Sequence, residues 1–236
     1  MGVVTVVRHG QASFGSANYD QLSPLGEWQA TQLGQHFCTA SMRFNRALCG
    51  DLVRQQQTAE RVLGGLADAP CERAIDAAFD EYPTKPVFGR HLPTVLERDP
   101  ELRDAFARDR VGAGRDRAWS RRVFFPVLSA WQADGEDVPF ESFARFRARI
   151  EEGLKRLVQS HRHGDSSVVF TSAGVVAVAV MYALDLPDAA FAPLAWQVHN
   201  ASISRFSVDD GAFHLLQFNG VGYLEATGRL DALTWL

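Results

Sequence analysis

Lysine is nearly missing from this chain: Lys85 and Lys155 are the only two among 236 residues, and arginine carries almost all of the positive charge. The guanidinium group suits bidentate recognition of phosphate and carboxylate, although such a bias also follows from genome composition. An excess of positive charge is missing too. The formal balance of −4 removes any general attraction to nucleic acid. Cysteine is scarce: Cys38, Cys49 and Cys71 are odd in number and lack CxxC spacing. That argues against a disulfide framework or a zinc site, and for a reducing compartment. The longest apolar run, 174–184, is too short to span a bilayer. No basic flank or cleavage site marks a signal peptide, so a cytoplasmic protein without a membrane partner is expected. Repeats, low-complexity tracts and long linkers are lacking as well, which leaves a single domain over 1–236.

What is present describes an ordinary globular chain, 46% hydrophobic and 22% charged. A domain of this length can bury roughly 70–75% of its unfolded surface. It opens on Val3-Val4-Thr5-Val6-Val7, five β-branched residues that read as a central strand buried on both faces. That run stops at Arg8-His9-Gly10. In open α/β sheets ligands bind beyond the carboxyl ends of strands, so these residues stand where chemistry is expected.

A polar loop, 11–21, leads to Ser23-Pro24, an N-cap serine with proline at the first helical position. Leu25, Trp28, Ala30, Leu33 and Phe37 give the helix an apolar stripe. A second strand is predicted over 44–49, with Asp51 as the cap of a helix running to Gly64-Gly65. A third strand is predicted over 71–75, ending near Asp80-Glu81. From 82 to about 114, Pro83, Pro86, Pro93 and Pro100 interrupt the pattern, which predicts loops with one short helix at 94–108. The eight arginines of 98–122 alternate with Asp99, Glu101, Asp104, Asp109 and Asp116, as on a salt-bridged surface. Helices are predicted near 118–133 and 140–161, then a second buried strand at 165–171, followed by an apolar helix after Ser172. Strands at 201–208 and 213–218 flank an Asp209-Asp210-Gly211 turn. The fold class is α/β, with a mainly parallel central sheet flanked by helices. Residues 82–140 form a mostly helical insertion over its open end.

Four pieces then align at one sheet edge: Arg8-His9, Arg54 in the first turn of a helix, Glu81 after the third strand and Ser172 after the later one. Two guanidiniums, an imidazole and a carboxyl suit phosphoryl transfer. A neutral imidazole can attack phosphorus and form a covalent intermediate. The guanidiniums hold the nonbridging oxygens, and the carboxyl protonates the leaving alkoxide and later activates water.

These stretches resemble the histidine phosphatase, or phosphoglycerate mutase-like, superfamily, whose fold is a three-layer sandwich. Arg8-His9-Gly10 is similar to its signature, implying His9 as the phosphorylated nucleophile and Arg8 as a phosphate ligand, with Gln11 beside them. Leu22-Ser23-Pro24-Leu25-Gly26 resembles its first helix start. Leu52-x-Arg54-x-x-Gln57-Thr58-Ala59 resembles its second signature, which implies Arg54 as the other phosphate-binding arginine. Glu81 falls at the general acid, and Asn200-Ala201-Ser202 resembles a late strand of the family.

One departure stands out. The family's later strand ends in Ser-His-Gly-Gly, and here Thr171-Ser172-Ala173-Gly174 is taken to put Ser172 in place of the histidine. A serine can bond a phosphate oxygen or serve as a helix N-cap, but brings no charge; loss of one such donor costs on the order of 10²–10³ in rate.

His161-x-His163 lacks a third metal ligand, and neither metal nor cofactor is expected. His199 is a substitute for the missing group or an ordinary polar strand-end residue. The expected function is hydrolysis of a small phosphorylated metabolite. The alternatives are a phosphoglycerate mutase-type transferase, whose lysine-rich and tyrosine-glycine segments are lacking here, or a weakened phosphate-ligand-binding protein. Specificity is expected from 82–140, where Phe88, Trp119 and Phe124 mix with arginines. A homo-oligomer is left open.

Overall fold

The computed structural model describes residues 1–13, 19–66, 68, 70, 72–108 and 117–235, the side chains of 108 and 117–119 excepted. In chain order the elements are β1 (Gly2–Arg8), α1 (Pro24–Thr39), β2 (Arg46–Cys49), α2 (Val53–Gly64), β3 (Glu72–Ile75), α3 (Thr84–Arg98), α4 (Pro100–Arg108), α5 (Arg117–Ala133), α6 (Phe143–Ser160), β4 (Ser166–Thr171), α7 (Ala173–Leu184), α8 (Phe191–Gln197), β5 (Ile203–Asp209), β6 (Ala212–Gly220) and α9 (Gly222–Glu225).

The six strands form one sheet in the order β3-β2-β4-β1-β5-β6. The pairs β3–β2, β2–β4 and β4–β1 are parallel, while β1–β5 and β5–β6 are antiparallel. Period-two alternation sends Val4 and Val6 of β1 to one face and Val7 to the other. Each face has its own core. On one side Val4, Val6, Val169 and Phe206 pack with α6, α7 and α8 and with Val87, Val123 and Trp131 of α3 and α5. On the other, Val7, Val168 and Ile203 pack with Leu33 and Phe37 of α1 and Ala59 and Val62 of α2. Helices on both faces of a mainly parallel sheet are the three-layer arrangement read from the sequence.

The apolar run 174–184 becomes α7, whose residues from Gly174 to Met181 are all buried. Among the described residues no helix is long and apolar enough to cross a membrane.

Two local readings change. The segment after Tyr82 is helical rather than mostly loop, because its prolines fall at helix starts: Pro86 in the first turn of α3 and Pro100 at the first position of α4. An N–H there has no helical acceptor to lose. Only Pro93 lies deep inside α3, which Val87 and Val95 anchor by burial. Asp51 is not the cap of α2. That helix begins one residue later, with Leu52 in the cap position. Asp20 accepts from the Val53 N–H at 3.1 Å instead. The start of the third strand at Cys71, much of the arginine-rich stretch and the Trp119 side chain lie outside the described residues.

Candidate active site

β1, β2 and β4 finish level with one another: Arg8 pairs with Thr171, and Cys49 with Phe170. β5 runs the other way and starts at the same edge, with Ile203 opposite Val7. His9 is therefore clamped between two strands. Its N–H donates to the Thr171 carbonyl at 2.8 Å, and its carbonyl accepts from Ala201 N–H at 3.1 Å and Asn200 Nδ2 at 3.2 Å. Gly10 follows because the turn passes hard against α1: a Cβ there would lie 2.4 Å from the Gly26 carbonyl oxygen. Thr58 accepts from the Gly10 N–H at 3.1 Å, and Gln57 from the Leu22 N–H at 2.8 Å. The polar residues of the Arg54 stretch thus hold the loop that carries His9.

The imidazole of His9 is 5% exposed. Its Nδ1 lies 2.6 Å from the Gly10 carbonyl, which can only accept, so Nδ1 carries the proton and Nε2 the lone pair. Arg54 Nε donates to that Nε2 at 3.1 Å. Burial first, and then the charges of Arg54 and Arg8, hold the pKa of His9 well below the ordinary histidine value. At neutral pH the ring is an uncharged base.

Arg54 is fixed from behind by Asp20, whose two oxygens take its guanidinium at 2.6 Å and the Val53 N–H at 3.1 Å. Its guanidinium also lies 5.5 Å from the centre of the Tyr19 ring. Arg8, 7% exposed, donates to the Val198 carbonyl and, at 3.0 Å, to that of Trp235. Burial lowers its pKa to about 10, which leaves it charged at neutral pH. Its Nε is buried with no hydrogen-bond partner among the described residues. Beside an imidazole and a second guanidinium, that is a donor waiting for an anion.

Glu81 closes the site. Its carboxylate accepts from the Gly174 N–H at 3.1 Å and the Tyr82 N–H at 3.2 Å. A Cβ on residue 174 would sit 2.2 Å from Glu81 Oε1, so the glycine makes room for the carboxyl. Burial raises the Glu81 pKa, and the bond from Gly174 and the charge of Arg54 only moderate it. A carboxyl that keeps its proton longer than usual suits proton donation.

Two expected site residues are placed differently. Ser172 follows β4 next to His9, but it is fully buried, and its hydroxyl accepts from Gln55 Nε2 at 2.8 Å. It stands in the N-cap position of α7 and makes no capping bond. The residues of that stretch lining the cavity are Ala173 and Gly174, of which Ala173 carries a side chain. Gln11 turns to α1 instead, its amide oxygen accepting from the Ser23 hydroxyl at 2.8 Å.

The cavity, of about 110 Å³, is lined by Arg8, His9, Arg54 and Glu81 together with Tyr19, Tyr82, Phe124, Trp196 and Trp235. Phe124 is among the residues expected to set specificity, but Asp20, Tyr19, Tyr82, Trp196 and Trp235 escape the sequence reading. An acid in a polar loop gives little signal, and Trp235 comes from the far end of the chain. The other histidines sit elsewhere: His161 between the Leu157 carbonyl and Ser167, His199 against Asn219 and the Trp235 ring. Among the described residues no three His, Cys, Asp or Glu side chains come together as a metal site requires.

A comparison with family models matches residues 4–124 and 112–220 to the histidine phosphatase superfamily, branch 1. Solved structures share the fold at low identity. YhfR of Bacillus stearothermophilus has a TM-score of 0.65 at 18% identity, with 94% of this chain and 99% of that one covered. A mycobacterial glucosyl-3-phosphoglycerate phosphatase in complex with inorganic phosphate scores 0.61 at 20% identity, covering 94% and 98%. A phosphoserine phosphatase of Entamoeba histolytica scores 0.60 at 18%, covering 95% and 100%. A comparison with curated protein sequences gives no match. The family match runs from β1 through β6, over the same strands that bring Arg8, His9 and Arg54 together, and the chain belongs to the histidine phosphatase superfamily.

Proposed function

We propose that this protein hydrolyses a small phosphomonoester through a phosphohistidine at His9. One observation carries the reading: the lone pair of a neutral, buried imidazole meets the guanidinium of Arg54, and the buried Arg8 lining the same cavity has a donor with no partner among the described residues. In the first step His9 Nε2 attacks phosphorus and the bond to the alcohol oxygen breaks. Glu81 gives its proton to that oxygen, while Arg8 and Arg54 hold the nonbridging oxygens through the build-up of charge. In the second step the Glu81 carboxylate takes a proton from water. The water oxygen attacks phosphorus, the P–N bond breaks, and phosphate leaves with the lone pair restored to Nε2.

The guanidiniums supply the charge here, so turnover is expected to survive a chelator. Incubation with a ³²P-labelled phosphomonoester and a rapid quench tests the route. Acid-labile, base-stable label on wild type and none on His9→Ala is the expected result; full turnover by His9→Ala would end the proposal. The apolar Ala173 facing the cavity favours a second reading, a protein that binds phosphate esters and turns them over slowly. Tight binding without labelled intermediate would select it.

A further inference from the structure

We infer that the alcohol half of the substrate is a small flat apolar group, an aromatic ring above all, rather than a polyol or a carboxylic acid. The inference rests on the phosphohydrolase reading for its chemistry and on the wall of the cavity for its content. The charged groups lining the cavity, among the described residues, are Arg8, Arg54 and Glu81 besides the imidazole of His9. All are occupied by the phosphoryl group and the proton. Among the described residues no third lining cation remains for a carboxylate or a second phosphate, which would be desolvated without a partner.

Beyond these, the large side chains of the lining are aromatic, and the remainder are small residues such as Ala173, Ala195 and Thr84. Phe124 of α5 and Trp196 of α8 pack on each other with ring centres 5.2 Å apart at 47°. Phe125 backs Trp196 at 6.1 Å and Phe88 backs Phe124 at 6.3 Å. Trp196 is 8% exposed, so this wall is already assembled and pays little ordering entropy when a ligand arrives. Polyol hydroxyls placed against the faces of these two rings lose water and gain no partner there. A ring gains both apolar burial and ring–ring contact. The volume of about 110 Å³ is shared with the phosphoryl group, which keeps the alcohol half small.

The test compares benzyl phosphate with glycerol 1-phosphate and 3-phosphoglycerate. The first two release alkoxides of similar kind, so their ratio reports recognition rather than leaving-group reactivity. Wild type is expected to favour benzyl phosphate by about tenfold or more in kcat/KM. In Trp196→Leu the benzyl-to-glycerol ratio is expected to fall threefold or more, with a melting curve to check folding. Phe124→Leu, at a partly exposed position, is read in the same way if the first variant does not fold. Equal or better use of glycerol 1-phosphate or 3-phosphoglycerate, or an unchanged ratio in the folded variants, overturns the inference. Dissociation constants of the three esters on His9→Ala, by calorimetry, give the same order without turnover. A protein that hydrolyses none of them thus counts against the phosphatase reading, while the order of affinities still decides the aromatic one.

Discussion

Burial of His9 would normally leave a histidine inert, yet here it makes the ring a base that stays unprotonated under the charge of two arginines. Glu81 is pushed the other way and gives up its proton less readily than an ordinary carboxyl. The two shifts predict the pH profile. Attack needs Glu81 protonated, so kcat/KM for an alkyl phosphate is full below its raised pKa and falls as pH climbs through it. The acid limb belongs to His9 and lies below the ordinary histidine range. Glu81→Gln is expected to lower kcat on an alkyl phosphate by about 10²–10⁴ and to remove the alkaline limb. An alkaline limb that persists in Glu81→Gln assigns the proton to another group. At the end of β4, Ala173→His is expected to raise kcat by about tenfold, since a donor facing the cavity acts on charge developing in the transition state. Ser172→His, at a fully buried position bonded to Gln55, is expected to cost about 1–3 kcal/mol by overpacking. Equal gains from both would mean that residue 172 also reaches the cavity.

At the scale of elements, the site depends on close approach between backbones. α7 begins next to Glu81, and Gly174→Ala brings a Cβ within 2.2 Å of its Oε1. The carboxyl must move. A tenfold or larger loss of kcat on an alkyl phosphate is expected, with 2,4-dinitrophenyl phosphate, whose leaving group needs no proton, much less affected. Equal losses on both would point to collapse of α7 instead. The aromatic wall has its own support in α5 and α6. Trp131, fully buried, meets Tyr82 at 4.9 Å, Phe143 at 5.3 Å and Phe146 at 5.5 Å. Trp131→Ala is expected to cost about 3–5 kcal/mol, read by denaturant unfolding. Of the helices around this wall, α5 is legible from its sequence, whereas α3, which brings Phe88 behind Phe124, is hidden by its prolines; the place of Pro86 in the first turn becomes clear only once the helix start is known.

Across the whole molecule, two cores on opposite faces of one sheet hold three parallel strand ends level, and the buried cations at that edge repel one another until an anion arrives. Inorganic phosphate should therefore stabilise the fold. At about a hundred times its Kd the gain is about 2.7 kcal/mol, which for a chain of this size raises Tm by about 5–10 °C. Loss of the shift in Arg8→Ala and in Arg54→Ala is expected, and a shift retained in both would place the phosphate elsewhere.

The sequence by itself determined the sheet, the three layers and the residues at the strand ends, because β-branched runs and capped apolar stripes are local signals. His9, Arg8, Arg54 and Glu81 could be named for the same reason: each lies just past a strand or in a first helical turn. What only the tertiary structure decided is where side chains point and which distant segments meet. Ser172 and Ala173 are neighbours in one turn, and the packing of Gln55 chose which of them faces the cavity. Asp20 reaches Arg54 from a loop, and Trp235 reaches Arg8 from the far end of the chain, through contacts that no local pattern encodes.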